Sequence, residues 1–129
     1  MTGVRRRSER GAIAIEFMLV LSMLVVVFLV MLQYAVRAHA HRIATAAAEE
    51  GLATAAAYDG SAEAGRNTAE NYVNDLGPNL KGTVVTASRS ATTARVGVSG
   101  EVEQLIPFLT VRVSVQVEGP VERFVEGAP

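Results

Sequence analysis

Glu16 stands inside a hydrophobic block, where an ionisable group costs about 2.5 to 3.5 kcal/mol on insertion scales. Such a residue needs either a partner or a place at an interface, and position alone leaves both readings open. The other residues with chemical potential are poorly placed for catalysis. His39 and His41 are two apart, so on a helix they point about 200° apart and do not share a metal as an i, i+4 pair would. Glu49 with Glu50, and Glu101 with Glu103, read as solvated faces rather than paired catalytic carboxylates, and Tyr72 reads as a core residue rather than a catalytic phenol. No glycine-rich phosphate loop, Ser-His-Asp motif or Asn-x-Ser/Thr acceptor is present. The absence of Cys removes disulfides, thiolate zinc sites and cysteine nucleophiles together. No enzymatic activity, cofactor or metal is expected.

The elements that position Glu16 follow from the distribution of apolar residues. Half of the 129 residues are hydrophobic, enough for about one ordinary domain, but residues 12–36 form an almost unbroken apolar block that leaves 93 residues after it. From Phe17 to Leu32 there is no charge, and Ser22 is the only polar residue. As a helix, Ala12 to Val36 rises about 38 Å, more than a hydrocarbon core of roughly 30 Å, and it is apolar on every face, as a lipid-embedded helix must be. Arg5, Arg6, Arg7 and Arg10 precede the block, while Arg37 and Arg42 follow it. The bias of Lys and Arg predicts a cytoplasmic N-terminus, with residues 37–129 on the extracytoplasmic side of the cytoplasmic membrane. That outer part carries eight Lys/Arg against eleven Asp/Glu, so nucleic acid, which needs a basic surface, is not an expected partner. A competing reading is a secretory signal cut after Ala40, since Ala38-His39-Ala40 is a small-x-small site. Against it, the apolar block exceeds the roughly 7 to 15 residues of a signal's apolar region, and the Ala-rich sequence continues through the site.

The basic leader, Gly11, the four apolar residues Ala12 to Ile15 and then Glu16 resemble the type IV prepilin signal. The run from Arg10 to Leu21 is similar in particular to the opening of TadE-like proteins, pilin-like components of the Tad (Flp) tight-adherence pilus system. Ile15 and Met18 stand where that family more often has Val and Ala, and no Pro follows Leu21. The resemblance covers residues 10 to about 58 in motif and the remainder only in layout. It implies cleavage between Gly11 and Ala12 by a membrane-embedded prepilin peptidase, giving a 118-residue product. A glycine, lacking Cβ, is readily drawn extended into a protease cleft. Glu16, fifth after that glycine, would then meet the Ala12 ammonium of a neighbouring subunit. Other pilin-like subunits, and indirectly the Tad membrane platform and secretion ATPase, are the partners implied, with incorporation into a surface pilus as one outcome. The fibre-forming pilins of that system are much shorter, so the 93 residues after the block argue for a minor or assembly role. The alternative from another class is a single-pass membrane-anchored protein whose head binds an extracellular ligand, which requires a concave site with converging polar groups.

Beyond the block, eleven alanines lie between Ala35 and Ala57 without a Pro, which predicts that the helix runs on to about Tyr58. Ala47, Gly51 and Ala55 recur at four-residue spacing, and the all-round small surface favours packing against partner helices. Asp59, Gly60 and Ser61 read as stop, left-handed C-cap and N-cap. A second helix follows, with Ala62, Ala69, Tyr72, Val73 and Leu76 on one side, ended by Gly77-Pro78. Thereafter the period is two: Val111, Val113, Val115 and Val117 form one strand, Val96, Val98 and Val102 a second with a bulge at Gly97 or Gly100, and Thr83 to Ser88 a third. The expected fold is α+β. It comprises a basic leader (1–11), a transmembrane helix (12–36), its Ala-rich extension (37–58) and an extracytoplasmic head (61–129) with a short helix and a three-stranded antiparallel sheet. Leu105, Ile106, Phe108 and Leu109, with Pro107, place an apolar cluster in a connection that should be polar. It is either folded under the sheet or used as a contact to a neighbouring subunit or the membrane surface.

Overall fold

Without a proline before residue 78, nothing in the first part of the chain forces the helical hydrogen-bond ladder to stop. The computed structural model, which describes residues 2–77 and 80–123 and the side chains from Ser8 onward, accordingly has a first helix, α1, of 55 residues from Thr2 to Ala56. It is a rod of about 80 Å. From Thr2 the helix takes in the basic leader and runs on into the apolar block. Then come α2 (Ala62–Leu76), β1 (Leu80–Arg89), β2 (Thr93–Val102) and β3 (Val111–Pro120). The sheet is antiparallel in the order β1-β2-β3, so the fold is α+β as expected.

The end of α1 is fixed by side chains from elsewhere. The last carbonyls of a helix lack intrahelical donors, and here one nitrogen of the Arg89 guanidinium donates to the carbonyls of Ala55, Ala57 and Gly60 at 2.7, 2.8 and 2.6 Å. Ser61 caps α2 by accepting from the Ala64 amide at 3.1 Å. Gly60 is not the left-handed cap anticipated, because the one positive-φ glycine among the described residues is Gly82. Gly60 is required for space instead: a Cβ there would collide with the carbonyl oxygen of Thr54. Pro78, expected to close α2, lies outside the described residues.

One stripe of small residues in the second half of α1 is buried within the chain. Ala40, Ala44, Ala47, Ala48, Gly51 and Ala55 are buried and recur at helical spacing along one stripe, against Gly65, Ala69 and Val73 of α2 and Val96 and Val98 of β2. The expectation of partner helices is corrected here, since the helix that approaches is the chain's own α2. Gly51 and Gly65 form the closest point: a Cβ on Gly65 would lie 2.6 Å from the Ala55 Cβ and 2.7 Å from the Gly51 carbonyl oxygen. The stripe on α2 is correspondingly Gly65, Ala69 and Val73, and Leu76, expected on it, is exposed.

The sheet lays one face on the helices and turns Arg95, Arg112, Ser114, Gln116 and Glu118 to solvent, where Arg95 pairs with Glu118 at 3.0 Å. Its irregularity falls on β1, not β2. Lys81 opposes Glu101 and Val84 opposes Ser99, so Gly82 and Thr83 face Gly100 together, and Gly82 has φ of +58°. This is a bulge with a left-handed glycine at its first position. It shifts the side-chain parity, which lets Leu80 before it and Val85 and Ala87 after it all join the core.

Replacing Gly65 with Val should drive α2 off α1 and destabilise the head by about 1 to 3 kcal/mol, the usual cost of overpacking. Denaturant unfolding of the detergent-solubilised chain, followed by far-UV circular dichroism, measures it. An unchanged midpoint would show that the backbones need not approach so closely.

Candidate functional site

Two chemically distinct stations lie along α1, one at each end of its apolar stretch. At the leader end, residues 8–28 are all exposed, and a Cβ on Gly11 would meet nothing within 4 Å. Gly11 therefore serves no packing purpose within this fold. Helical geometry sets Ala12 and Glu16 one turn apart on one face, and among the described side chains Glu16 makes no ion pair. The Gly11–Ala12 bond is helical, so a protease that reads an extended strand would have to unwind it. A glycine lowers the cost of that by roughly 1 kcal/mol relative to alanine. Arg10 is exposed, while the side chains of Arg5, Arg6 and Arg7 fall outside the description. Ser22, the polar residue between Phe17 and Leu32, is satisfied internally, its hydroxyl donating to the Met18 carbonyl at 2.7 Å.

At the other end the first polar residue after the run from Phe17 to Leu32, Gln33, is only 4% exposed. Its amide oxygen accepts from the Leu105 N–H at 2.8 Å, and its amide nitrogen donates to the Glu103 carbonyl at 3.2 Å. The connection between β2 and β3 is thereby fastened to α1, and both partners of a buried primary amide are supplied by backbone. The apolar cluster on that connection is not folded under the sheet: Leu105, Phe108 and Leu109 are exposed, and Ile106 is half-buried. Neither Gln33 nor Arg89 stood out in the sequence. The available signal for Gln33 was a lone amide directly beyond an uncharged apolar run, which a buried site must satisfy. Arg89 gave no such signal.

The remaining candidates stay apart. His39 and His41 are exposed on α1, as are Glu49 and Glu50. Tyr72 packs against the core. Glu101 lies 3.9 Å from Arg112, and no group of three His, Cys, Asp or Glu among the described residues is placed to hold a metal. In the shallow depression bordered by Arg89, Arg95 and Glu118, the cations are engaged with helix carbonyls and with the glutamate.

A small α+β head carried on one helix that is long and apolar enough to cross a membrane defines the class of protein. Residues 11–53 match the family model described as TadE-like protein, so the likeness to that family covers a third of the chain, its apolar stretch and the first part of the Ala-rich extension. No curated protein and no solved structure matches the chain. The matched segment opens at Gly11 and ends within the buried stripe of α1, so the sheet lies beyond it.

Gln33→Leu keeps the side chain's volume but leaves the Leu105 amide and the Glu103 carbonyl without their partner. Amide hydrogen exchange at Leu105 should accelerate several-fold while that of β2 stays unchanged. Equal exchange in both proteins would mean the loop is held by its own turn alone.

Proposed function

We propose that this chain is a pilin-like structural subunit of a Tad-type pilus, processed after Gly11 by a prepilin peptidase on the cytoplasmic side. In this reading the membrane helix stores the subunit in the bilayer with its head extracytoplasmic, until it joins other pilin-like subunits on the platform that the secretion ATPase drives. Its part is structural rather than enzymatic. The observation that carries the reading is the pairing of the Gly11-to-Glu16 signal with an apolar helix surface that the rest of the chain leaves bare. A lipid-facing surface of this kind is what a subunit needs both in the bilayer and in a helical bundle. The size of the head favours a minor or assembly role. The secreted alternative would cut after Ala40, which is buried in the head's core. The anchored ligand-binding alternative has little support from a head whose described depressions are shallow and whose arginines are occupied.

Because Gly11 touches nothing, Gly11→Val tests processing without disturbing the head. Its branched Cβ should obstruct an extended backbone in the peptidase cleft, leaving a chain that retains its first eleven residues. N-terminal sequencing of protein purified from cells carrying the peptidase decides this. Wild-type and variant proteins with the same N-terminus would remove the prepilin reading.

Glu16 lies past the scissile bond and opposes insertion, so Glu16→Ala should insert and be processed normally. If its carboxylate meets a neighbouring Ala12 ammonium, removing it strands that charge at a cost of about 3 to 5 kcal/mol, seen as lost co-purification with other pilus components. Glu16→Gln isolates the charge at constant size. Normal co-purification of both variants would make Glu16 an interface residue.

A further inference from the structure

The turn between β2 and β3 is built to expose its largest side chain. From Gln104 to Thr110 there is no charge, Phe108 is fully exposed at 104%, and its φ of 68° lies in the left-handed region that bulky residues rarely enter. The turn is nevertheless pinned. The Leu109 N–H donates to the Ile106 carbonyl at 3.3 Å, the Gln104 amide donates to the Thr110 hydroxyl at 2.9 Å, and Gln33 holds Leu105 from α1.

That last bond fixes the turn's depth. A hydrocarbon core of roughly 30 Å takes about twenty helical residues. Counted from Ile13 it ends at Leu32; counted from Phe17, beyond Glu16, it ends at Val36. Gln33 lies between the two limits, so either count puts the turn at the boundary of the head-side leaflet. Tyr34, exposed at the same level of α1, is of the residue type enriched at such boundaries.

We propose that the Leu105–Leu109 turn is a membrane-interface anchor, dipping Leu105, Phe108 and Leu109 into the headgroup–acyl boundary of the leaflet on the head side. The proposal rests on α1 spanning the bilayer. The occupant is lipid rather than a protein partner because the tether to α1 holds the turn at lipid level, and because the turn's own residues carry no charge to be matched. The nearest charges, Glu101, Glu103 and Arg112 in sequence and Lys81, which borders the same depression as Gln104 and Thr110, are of both signs, so the attraction is to the apolar boundary and needs no anionic headgroup.

The absence of native cysteine makes the test direct. Pro107→Cys, Val26→Cys and Ser90→Cys, each in the full chain and carrying an environment-sensitive fluorophore, are reconstituted in phosphatidylcholine vesicles containing nitroxide lipids. Deep nitroxides should quench the probe at Val26, shallow nitroxides the probe at Pro107, and neither the probe at Ser90, at the far end of the head. Adding Phe108→Asp to Pro107→Cys should bring its quenching down to the level at Ser90 while the Val26 probe stays quenched. A quenched Val26 with an unquenched Pro107 overturns the anchor and leaves the span standing. An unquenched Val26 removes the span and the proposal together. Shielding of Pro107 that grows with protein-to-lipid ratio without nitroxide quenching assigns the turn to a second copy and overturns the proposal.

Discussion

The head depends on one close approach, that of the α1 and α2 backbones at Gly51 and Gly65, where a single Cβ would force the helices apart. Every other contact is set by it. With the helices this near, the alanines above and below on α1 can bury completely, and the sheet can close over the pair through Val96, Val98 and Val113. Burial of small residues yields little apolar area per residue, so the stability of such a core comes from packing density along a long stripe rather than from a few large side chains. Val96, Val98 and Val113 are the largest of the fully buried side chains.

The consequence is that anchor and head share one rigid element. Because α1 runs without a break from the leader through the apolar block into the core, no linker separates the head from the stretch long and apolar enough to cross a membrane. Arg89 adds to this by fastening the sheet's β1 to carbonyls at and just beyond the end of α1, and Gln33 fastens the other end of the sheet to the apolar stretch. The two polar side chains bracket the head along the helix. A displacement of α1 along its axis is therefore transmitted whole to the head, which is the mechanical property that the proposed structural role would require.

Much of this was legible in the sequence because it is written in periodicity. The apolar block, the Ala-rich continuation, the Ser61 cap and the strict alternation around Val113 each rest on a local rule that tertiary structure did not override. The features that differ from local expectation share a cause. The small stripe of α1 marks a contact surface, but sequence spacing does not say whether the approaching helix is another chain's or the same chain's. Gly97, Gly100 and Gly82 are alike as residues, and only the cross-strand register assigns the bulge to Gly82. Gly60 has the sequence position of a conformational glycine, but its role is space. Arg89 and Gln33 act on residues 29 to 72 positions away, and no local pattern encodes such reach.

Gln33 and Glu16 bound the same apolar stretch, and the fold treats them oppositely. A buried amide must find partners, and Gln33 finds both within the chain, so the head-side end of the span is chemically closed. Glu16 has no ion-pair partner among the described side chains and stands on a helix surface that nothing in the chain covers. Once α1 is in a bilayer, a carboxylate near the apolar core can be satisfied only by headgroups and water or by a group from another molecule. The polar requirement left open by this fold thus lies at the leader end, beside the bond proposed for cleavage. Cutting there would create a new ammonium at the same depth in every subunit, so the event that matures the chain would also produce the charge able to meet Glu16 on its neighbour.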